Sequence, residues 1–99
     1  MAESITSISM NIKYSTIFKK QYKKAPKQIQ DKVKERLKLF VQNPTIAILN
    51  NHALTGKFQG LRSINITGDW RAIYSIRVSF KSEREYYFEL IGTHSQLYR

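Results

Sequence analysis

The chain has 99 residues, enough for one domain with a modest hydrophobic core. Hydrophobic residues make up 41% of it, which excludes a wholly disordered chain, and the lack of cysteine excludes disulfides and thiolate metal sites. The 17 Lys and Arg residues against 7 acids give a net charge of +10, an excess that predicts an anionic partner such as nucleic acid.

The N-terminal residues 1–10 have no basic n-region and no long apolar run, so they are unlike a secretory signal. We expect them to form a flexible tail, with Met10 as an alternative start, followed by a single domain over residues 11–99. No apolar run approaches the roughly 18 residues of a membrane span. The sequence therefore predicts a soluble protein of the cytoplasm.

The first half of the chain predicts one strand and two helices. Residues 11–14 alternate as in a strand, and Ser15 or Thr16 can cap a first helix. Pro26 fits the first turn of a second helix, and the Asn-Pro pair at 43–44 ends it. The second helix has one apolar stripe at three- and four-residue steps, formed by Ile29, Val33, Leu37, Phe40 and Val41.

The second half changes to a period of two. Residues 61–66, 70–78 and 85–91 are rich in β-branched and aromatic side chains and predict three strands. A Gly-Asp pair at 68–69 predicts a tight turn between the first two strands. The order β-α-α-β-β-β predicts an α+β domain, with an α-helical hairpin packed on one face of an antiparallel sheet.

Basic residues are concentrated in the predicted helices. Between residues 13 and 38 there are 10 Lys and Arg residues and 2 acids. This surplus exceeds what solubility requires. It favours a surface that faces phosphate groups over a merely solvated helix face.

The turn between the last two strands fixes which residues we expect to face each other. If the hairpin is centred near Lys81, Arg71 lies opposite Ile91. By the same count, Asp69 lies opposite Thr93, the residue before a histidine.

The other turn brings further polar side chains to the same end of the sheet. If residues 68–69 form a two-residue turn, Asn65 lies opposite Ala72. Four polar residues then gather at one sheet end, with Tyr98 just beyond: Asn65, Asp69, Arg71 and His94.

These residue types suit the scission of RNA. A general base removes the 2′-hydroxyl proton, the oxygen attacks the adjacent phosphate, and an acid protonates the 5′-oxygen leaving group. An arginine stabilises the charge on the phosphorane. We expect neither a metal nor a cofactor, because the two histidines and scattered acids have no recognisable ligand spacing.

Three segments, residues 52–62, 68–74 and 91–98, resemble the RelE/ParE toxin superfamily, and in particular its YafQ-type mRNA interferases. The resemblance implies the toxin of a type II toxin–antitoxin pair, which cleaves mRNA in the ribosomal A site. The lysines of the predicted helices would then contact the backbone of ribosomal RNA. The resemblance also implies neutralisation by a cognate acidic antitoxin that wraps around the toxin.

The resemblance implies a role for individual residues. His94 matches the C-terminal catalytic histidine of the family, and we expect it to be the general acid. His52 or Asp69 is then the base; the residues alone leave both open. Arg71 stands where many relatives have a transition-state arginine, and Tyr98 where relatives have an aromatic residue that stacks on a base.

Three further residues are candidates for substrate contacts. Asn65 stands where some YafQ-type relatives have a histidine, and an amide cannot act as acid or base. Lys57 is expected to contact RNA backbone. For Arg62, which shares a strand face with apolar residues, a structural partner and a phosphate contact are both open.

Two other functions remain as alternatives. One is a ParE-like inhibitor of DNA gyrase on the same fold, without ribonuclease activity. The Gly-Thr-His motif at 92–94 argues against it, because those relatives generally lack the C-terminal histidine. The other is an RNA-binding module that has no enzymatic activity.

Overall fold

A five-stranded sheet with helices on one face forms the part of the chain that the structure describes, residues 11–98, in a computed structural model. The predicted tail over residues 1–10 lies outside the described residues. The α+β class and the order β-α-α-β-β-β are confirmed, with short elements added between and after them. Within the described range, no helix is both long and apolar enough to cross a membrane.

The bounds of the elements agree closely with the periodic segments. The strands are β1 (Asn11–Tyr14), β2 (His52–Ala53), β3 (Arg62–Asn65), β4 (Trp70–Val78) and β5 (Arg84–Thr93). The helices are α1 (Thr16–Lys24), α2 (Lys27–Gln42) and α3 (His94–Leu97), with 3-10 turns at Ala47–Leu49 and Gly56–Phe58. Sequence analysis did not predict β2 or α3, because two and four residues are too few to show a period.

Side chains form hydrogen bonds at both ends of the first helix. Ser15 caps α1, because its hydroxyl accepts the N–H of Phe18 at 2.9 Å. The amide of Gln30 closes the other end by donating to carbonyls in the last turn of α1 and just after it. Pro26 lies at the N-cap of α2, one residue before the turn in which it was predicted.

The sheet has the strand order β1-β5-β4-β3-β2. The last three strands form the predicted antiparallel meander, and β2 adds an antiparallel strand at one edge. At the other edge β1 runs parallel to β5, so the sheet is mixed. The two helices carry the chain from β1 to β2 at the opposite edge of the sheet. The connection between β1 and β5 is therefore long, as a parallel pair requires.

The core lies between the helices and the sheet and is dominated by aromatic rings. Phe40 of α2 is fully buried, and its ring centroid lies 5.1 Å from Tyr74, 5.5 Å from Tyr86 and 5.4 Å from Phe88. All three contacts are edge-to-face, the arrangement that aromatic rings prefer. This cluster fixes α2 across β4 and β5.

The predicted register of the β4–β5 hairpin is correct at its outer half. Val78 pairs with Arg84, and Tyr74 pairs with Phe88, as a turn centred near residue 81 requires. At Ile73 the register shifts, because Ile73 pairs with Leu90 and leaves Glu89 as the extra residue of a β-bulge.

The bulge moves the inner half of the hairpin by one residue. Arg71 therefore faces Gly92, and the predicted pairing with Ile91 is wrong. The predicted pairing of Asp69 with Thr93 is also wrong, because Thr93 pairs with the first residue of β4.

The connection between β3 and β4 is longer than predicted. Asn65 pairs with Arg71 instead of Ala72, so the chain turns through residues 66–69. The hydroxyl of Thr67 accepts hydrogen bonds from the backbone N–H groups of residues 69 and 70, at 3.3 and 3.1 Å. This local hydrogen bonding stabilises a wider loop than a two-residue turn.

We predict that Phe40→Ala lowers the free energy of unfolding by about 3–5 kcal/mol, since it leaves a cavity under three aromatic rings. Ile17→Ala is the control: this side chain is 57% exposed, and we expect a change within about 0.5 kcal/mol. Urea unfolding followed by circular dichroism measures both. Equal losses in the two variants would contradict this account of the core.

Candidate active site

An open cleft of about 420 Å³ lies on the face of the sheet that the helices leave uncovered. Its lining residues are Asn50, His52, Ala53, Leu54, Thr55, Ser63, Arg71, His94 and Tyr98. The face follows from alternation along β3, because Ser63 lines the cleft while the next residue, Ile64, belongs to the core. Four of the predicted site residues therefore share one cleft.

His94 is held at the junction between β5 and α3. Thr93 caps α3 by accepting the N–H of Gln96 at 3.2 Å, and the side-chain oxygen of Gln96 accepts the N–H of Thr93 at 2.8 Å. This reciprocal pair is a capping box. The N–H of His94 donates to the carbonyl of Asp69 at 3.0 Å, which attaches the turn to the loop before β4.

Aromatic contacts orient the imidazole of His94. Its ring centroid lies 4.7 Å from that of Tyr98, with the planes tilted by 33°. Tyr98 in turn meets the ring of Phe58 edge-on at 5.4 Å. A row of three rings thus joins the 3-10 turn after β2 to the C-terminal helix.

His52 has a defined protonation pattern in its neutral form. It lies on β2, where its Nδ1 atom is 2.7 Å from the carbonyl oxygen of Asn50. A carbonyl can only accept, so Nδ1 carries the proton and the neutral ring keeps a lone pair on Nε2. His52 is exposed and therefore accessible to a substrate. It has the chemistry that a general base requires.

Arg71 is fixed by one nitrogen and leaves others for a ligand. Its Nη1 donates to the carbonyls of Thr67, Gly68 and Trp70 at 3.1, 2.8 and 3.3 Å. Within residues 11–98 the other guanidinium nitrogens make no hydrogen bond, and no carboxylate pairs with Arg71. The guanidinium is thus positioned to bind an anion in the cleft.

Asp69 and Asn65 are not brought into the cleft. The exposed Asp69 contributes its backbone carbonyl, which holds the turn at His94, and its side chain does not line the cavity. Asn65 pairs with Arg71 on β4, and its buried side-chain oxygen has no hydrogen-bond partner among the described residues. The predicted gathering is therefore incomplete at these two positions.

Arg62 lies on the opposite face of the sheet, next to the core. Its Nε donates to the side-chain oxygen of Asn51 at 2.9 Å, and Asn51 donates to the hydroxyl of Tyr74 at 2.8 Å. This network favours the structural alternative for Arg62 over a phosphate contact. Lys57 is exposed outside the lining, with its ammonium 5.0 Å from the ring centroid of Phe58.

Two residues at the site were not predicted from the sequence. Ser63 is fully buried beneath the cleft, and its hydroxyl has no hydrogen-bond partner within residues 11–98. Its alternation with Ile64 was the available signal. Phe58 lies in an irregular segment, where no periodic pattern shows that its ring reaches Tyr98.

Lysines cover the exposed surfaces of the helices, as predicted. The two acids of α2 are already paired: Asp31 accepts from Lys27 at 2.7 Å, and Glu35 from Lys32 at 3.3 Å. The hydrogen bond and charge of Lys27 lower the pKa of Asp31. The exposed lysines without such a partner in residues 11–98 are Lys19, Lys20, Lys23, Lys24, Lys34 and Lys38. No group of three or more metal-binding side chains occurs in the described range.

A family model and two solved structures from E. coli point to the same family. A family model described as the bacterial toxin of a type II toxin–antitoxin system, YafQ, matches residues 10–99. The structure of YafQ from E. coli BL21(DE3) is 29% identical, with a TM-score of 0.73 over 91% of this chain and 99% of that one. YafQ in the E. coli DinJ–YafQ toxin–antitoxin complex is 28% identical, with a TM-score of 0.71 over 92% and 99%.

A more distant structure shares the fold alone. The toxin–antitoxin complex RelBE2 from Mycobacterium tuberculosis contains a chain that is 16% identical, with a TM-score of 0.65 over 87% of this chain and 99% of that one. No curated protein matches the chain significantly.

We predict that Tyr98→Leu moves the imidazole proton resonances of His94 downfield, because the ring that shields them is lost. Tyr98→Phe keeps the ring and should leave them close to their original positions. Two-dimensional NMR of histidine-labelled protein measures both variants. Unchanged resonances in Tyr98→Leu would show that the two rings do not stack in solution.

Proposed function

This chain belongs to the YafQ family, the bacterial toxins of type II toxin–antitoxin systems. From this premise we propose that it is a ribosome-dependent endoribonuclease that cleaves mRNA in the A site. The observation that carries the proposal is the shared cleft of two imidazoles, a guanidinium and a phenol. These are the groups that an acid–base cleavage of a phosphodiester needs.

In the proposed reaction, Nε2 of His52 removes the proton from a 2′-hydroxyl group. The 2′-oxygen then attacks the adjacent phosphorus, and the bond from phosphorus to the 5′-oxygen breaks. His94 donates a proton to that leaving oxygen, so the products are a 2′,3′-cyclic phosphate and a 5′-hydroxyl. The available N–H groups of Arg71 stabilise the phosphorane oxygens. Tyr98 stacks on a base of the substrate.

We assign the general base to His52 and not to Asp69. His52 lines the cleft with a lone pair on Nε2, whereas the side chain of Asp69 lies outside the lining. In this proposal Asp69 acts through its main chain, by holding the turn that carries His94. The proposed reaction uses no metal ion.

The partners follow from the same proposal. Exposed helix lysines contact the backbone of ribosomal RNA. The E. coli relative was solved together with DinJ, and we propose that a cognate acidic antitoxin likewise neutralises this chain, in the cytoplasm where ribosomes translate. The gyrase alternative is not favoured, because the matching family is that of YafQ.

We predict that His94→Ala and His52→Ala each lower single-turnover mRNA cleavage by about 10²-fold or more, the range of a lost acid or base. Asp69→Asn keeps the main chain and should stay within about threefold of the original rate. Primer extension on translating ribosomes measures the cleavage, and sedimentation checks that binding persists.

Two outcomes would change these assignments. Full cleavage by His94→Ala refutes its role as the acid. Loss in Asp69→Asn as large as in His52→Ala would transfer the role of base to the aspartate.

We predict that ribosome affinity falls steeply with salt, because lysines displace counterions from the RNA. Replacing Lys19, Lys23 and Lys34 by Gln should each reduce the slope of log affinity against log salt by about one. Lys81→Gln, at the far end of the hairpin, is the matched control. Ribosome binding that is insensitive to salt would contradict the phosphate contacts.

A further inference from the structure

A second cleft of about 280 Å³ opens at the same end of the sheet as the candidate active site, but on the helix-covered face. It lies where the end of α1, the start of β4 and α3 meet. Its lining residues are Gln21, Lys24, Ala25, Trp70, Ile91, Gln96 and Leu97. None of the residues predicted to act in catalysis belongs to it.

Both glutamines of this cleft have their side-chain oxygens occupied. The oxygen of Gln21 accepts the N–H of Ile91 at 2.8 Å, and that of Gln96 accepts the N–H of Thr93 at 2.8 Å. An N–H can donate only to the oxygen of an amide, so the orientation of each amide is fixed. What each glutamine still offers to a ligand is its NH₂ group.

The other polar groups of the cleft are also donors. The exposed ammonium of Lys24 pairs with no carboxylate in residues 11–98, and in the same range the indole N–H of Trp70 makes no hydrogen bond. The rest of the lining is apolar. A cleft that offers donors and no available side-chain acceptor suits an anion, and the indole ring beside it suits a sugar or a base.

The short helix α3 separates this cleft from the candidate active site. His94 and Tyr98 line the active-site cleft, while Gln96 and Leu97 line the second one. On β4, Arg71 lines the active-site cleft and its neighbour Trp70 lines the second cleft. A strand of RNA that crosses the end of the sheet can therefore contact both clefts.

We propose that the second cleft binds a backbone phosphate of the RNA substrate that flanks the cleaved bond. Lys24 and the NH₂ groups of Gln21 and Gln96 are the donors, and the ring of Trp70 packs against the adjoining nucleotide. The inference rests on the proposed function. An RNA phosphate is favoured over a protein carboxylate by the indole ring and by continuity with the active-site cleft.

Two isosteric variants test the donors without removing the structural hydrogen bonds. Gln21→Glu and Gln96→Glu keep an oxygen for the N–H of residues 91 and 93, but replace an NH₂ donor by negative charge. Glutamate also suits the third position of a capping box, so α3 should persist in Gln96→Glu. Gln28→Glu and Gln42→Glu, at exposed positions of α2, are controls with the same change of charge.

Affinity is measured with ribosomes programmed with a short mRNA, in a His94→Ala background that prevents cleavage. We expect each cleft variant to weaken binding about tenfold, as for a lost hydrogen bond to a charged group, and the controls by less than about twofold. In the active protein, the same variants should raise KM and leave kcat nearly unchanged. Equal losses in the controls, or no loss in the cleft variants, would overturn the proposal.

A second measurement locates the phosphate. Single phosphates of the mRNA are replaced by neutral methylphosphonates at positions on either side of the cleaved bond. One flanking replacement should weaken binding of the original protein about tenfold, and weaken binding of Lys24→Gln far less. If no position behaves in this way, the cleft does not bind RNA phosphate.

The test separates the subsite from the proposed activity. If the original protein binds programmed ribosomes but leaves mRNA intact, the proposed nuclease activity fails while the binding data still decide the subsite. If the cleft variants lose affinity for a co-purified antitoxin and keep their affinity for RNA, the donors bind a carboxylate and the proposal is wrong.

Discussion

The reciprocal hydrogen bonds between Thr93 and Gln96 are the interaction on which the site depends. They end β5 and begin α3 within one residue, so the imidazole of His94 leaves the sheet at a fixed angle. Gly92 makes room for this turn, because a Cβ there would lie 3.0 Å from the side-chain oxygen of Gln96. The carbonyl of Asp69 then ties the turn to β4. Both clefts are built around these contacts.

Sequence patterns predicted the fold well because long elements repeat their signal. The stripe along α2 and the alternation through Tyr74 each place many side chains on one face, and the structure has most of them in the core or packed against it. Val41, the last residue of the predicted stripe, is exposed instead. The register near the site was not predictable in the same way. It depends on the bulge at Glu89 and on the loop held by Thr67, and each is a local event that leaves the surrounding pattern unchanged.

In the site as well, residue types indicated the chemistry, but the sequence did not predict where each side chain lies. By residue type alone, His52 and Asp69 were equal candidates for the general base, since either can accept a proton. A two-residue strand and one hydrogen bond to Asn50 bring His52 into the cleft, and neither has a sequence signature. For Arg62 the sequence left two alternatives open, a structural partner and a phosphate contact. The face of the strand decides between them, because Arg62 is engaged by Asn51 beside the core.

The bulge at Glu89 also sets how this chain can change in length. Its side chain accepts from Ser75, and its carbonyl accepts from the hydroxyl of Ser15, so the irregular residue is anchored from two elements. Because side chains alternate along a strand, a residue gained or lost between the bulge and His94 would turn the residues beyond it to the opposite face of the sheet. Homologous genes should therefore gain or lose residues in the distal hairpin turn, and keep an invariant count between the bulge and His94.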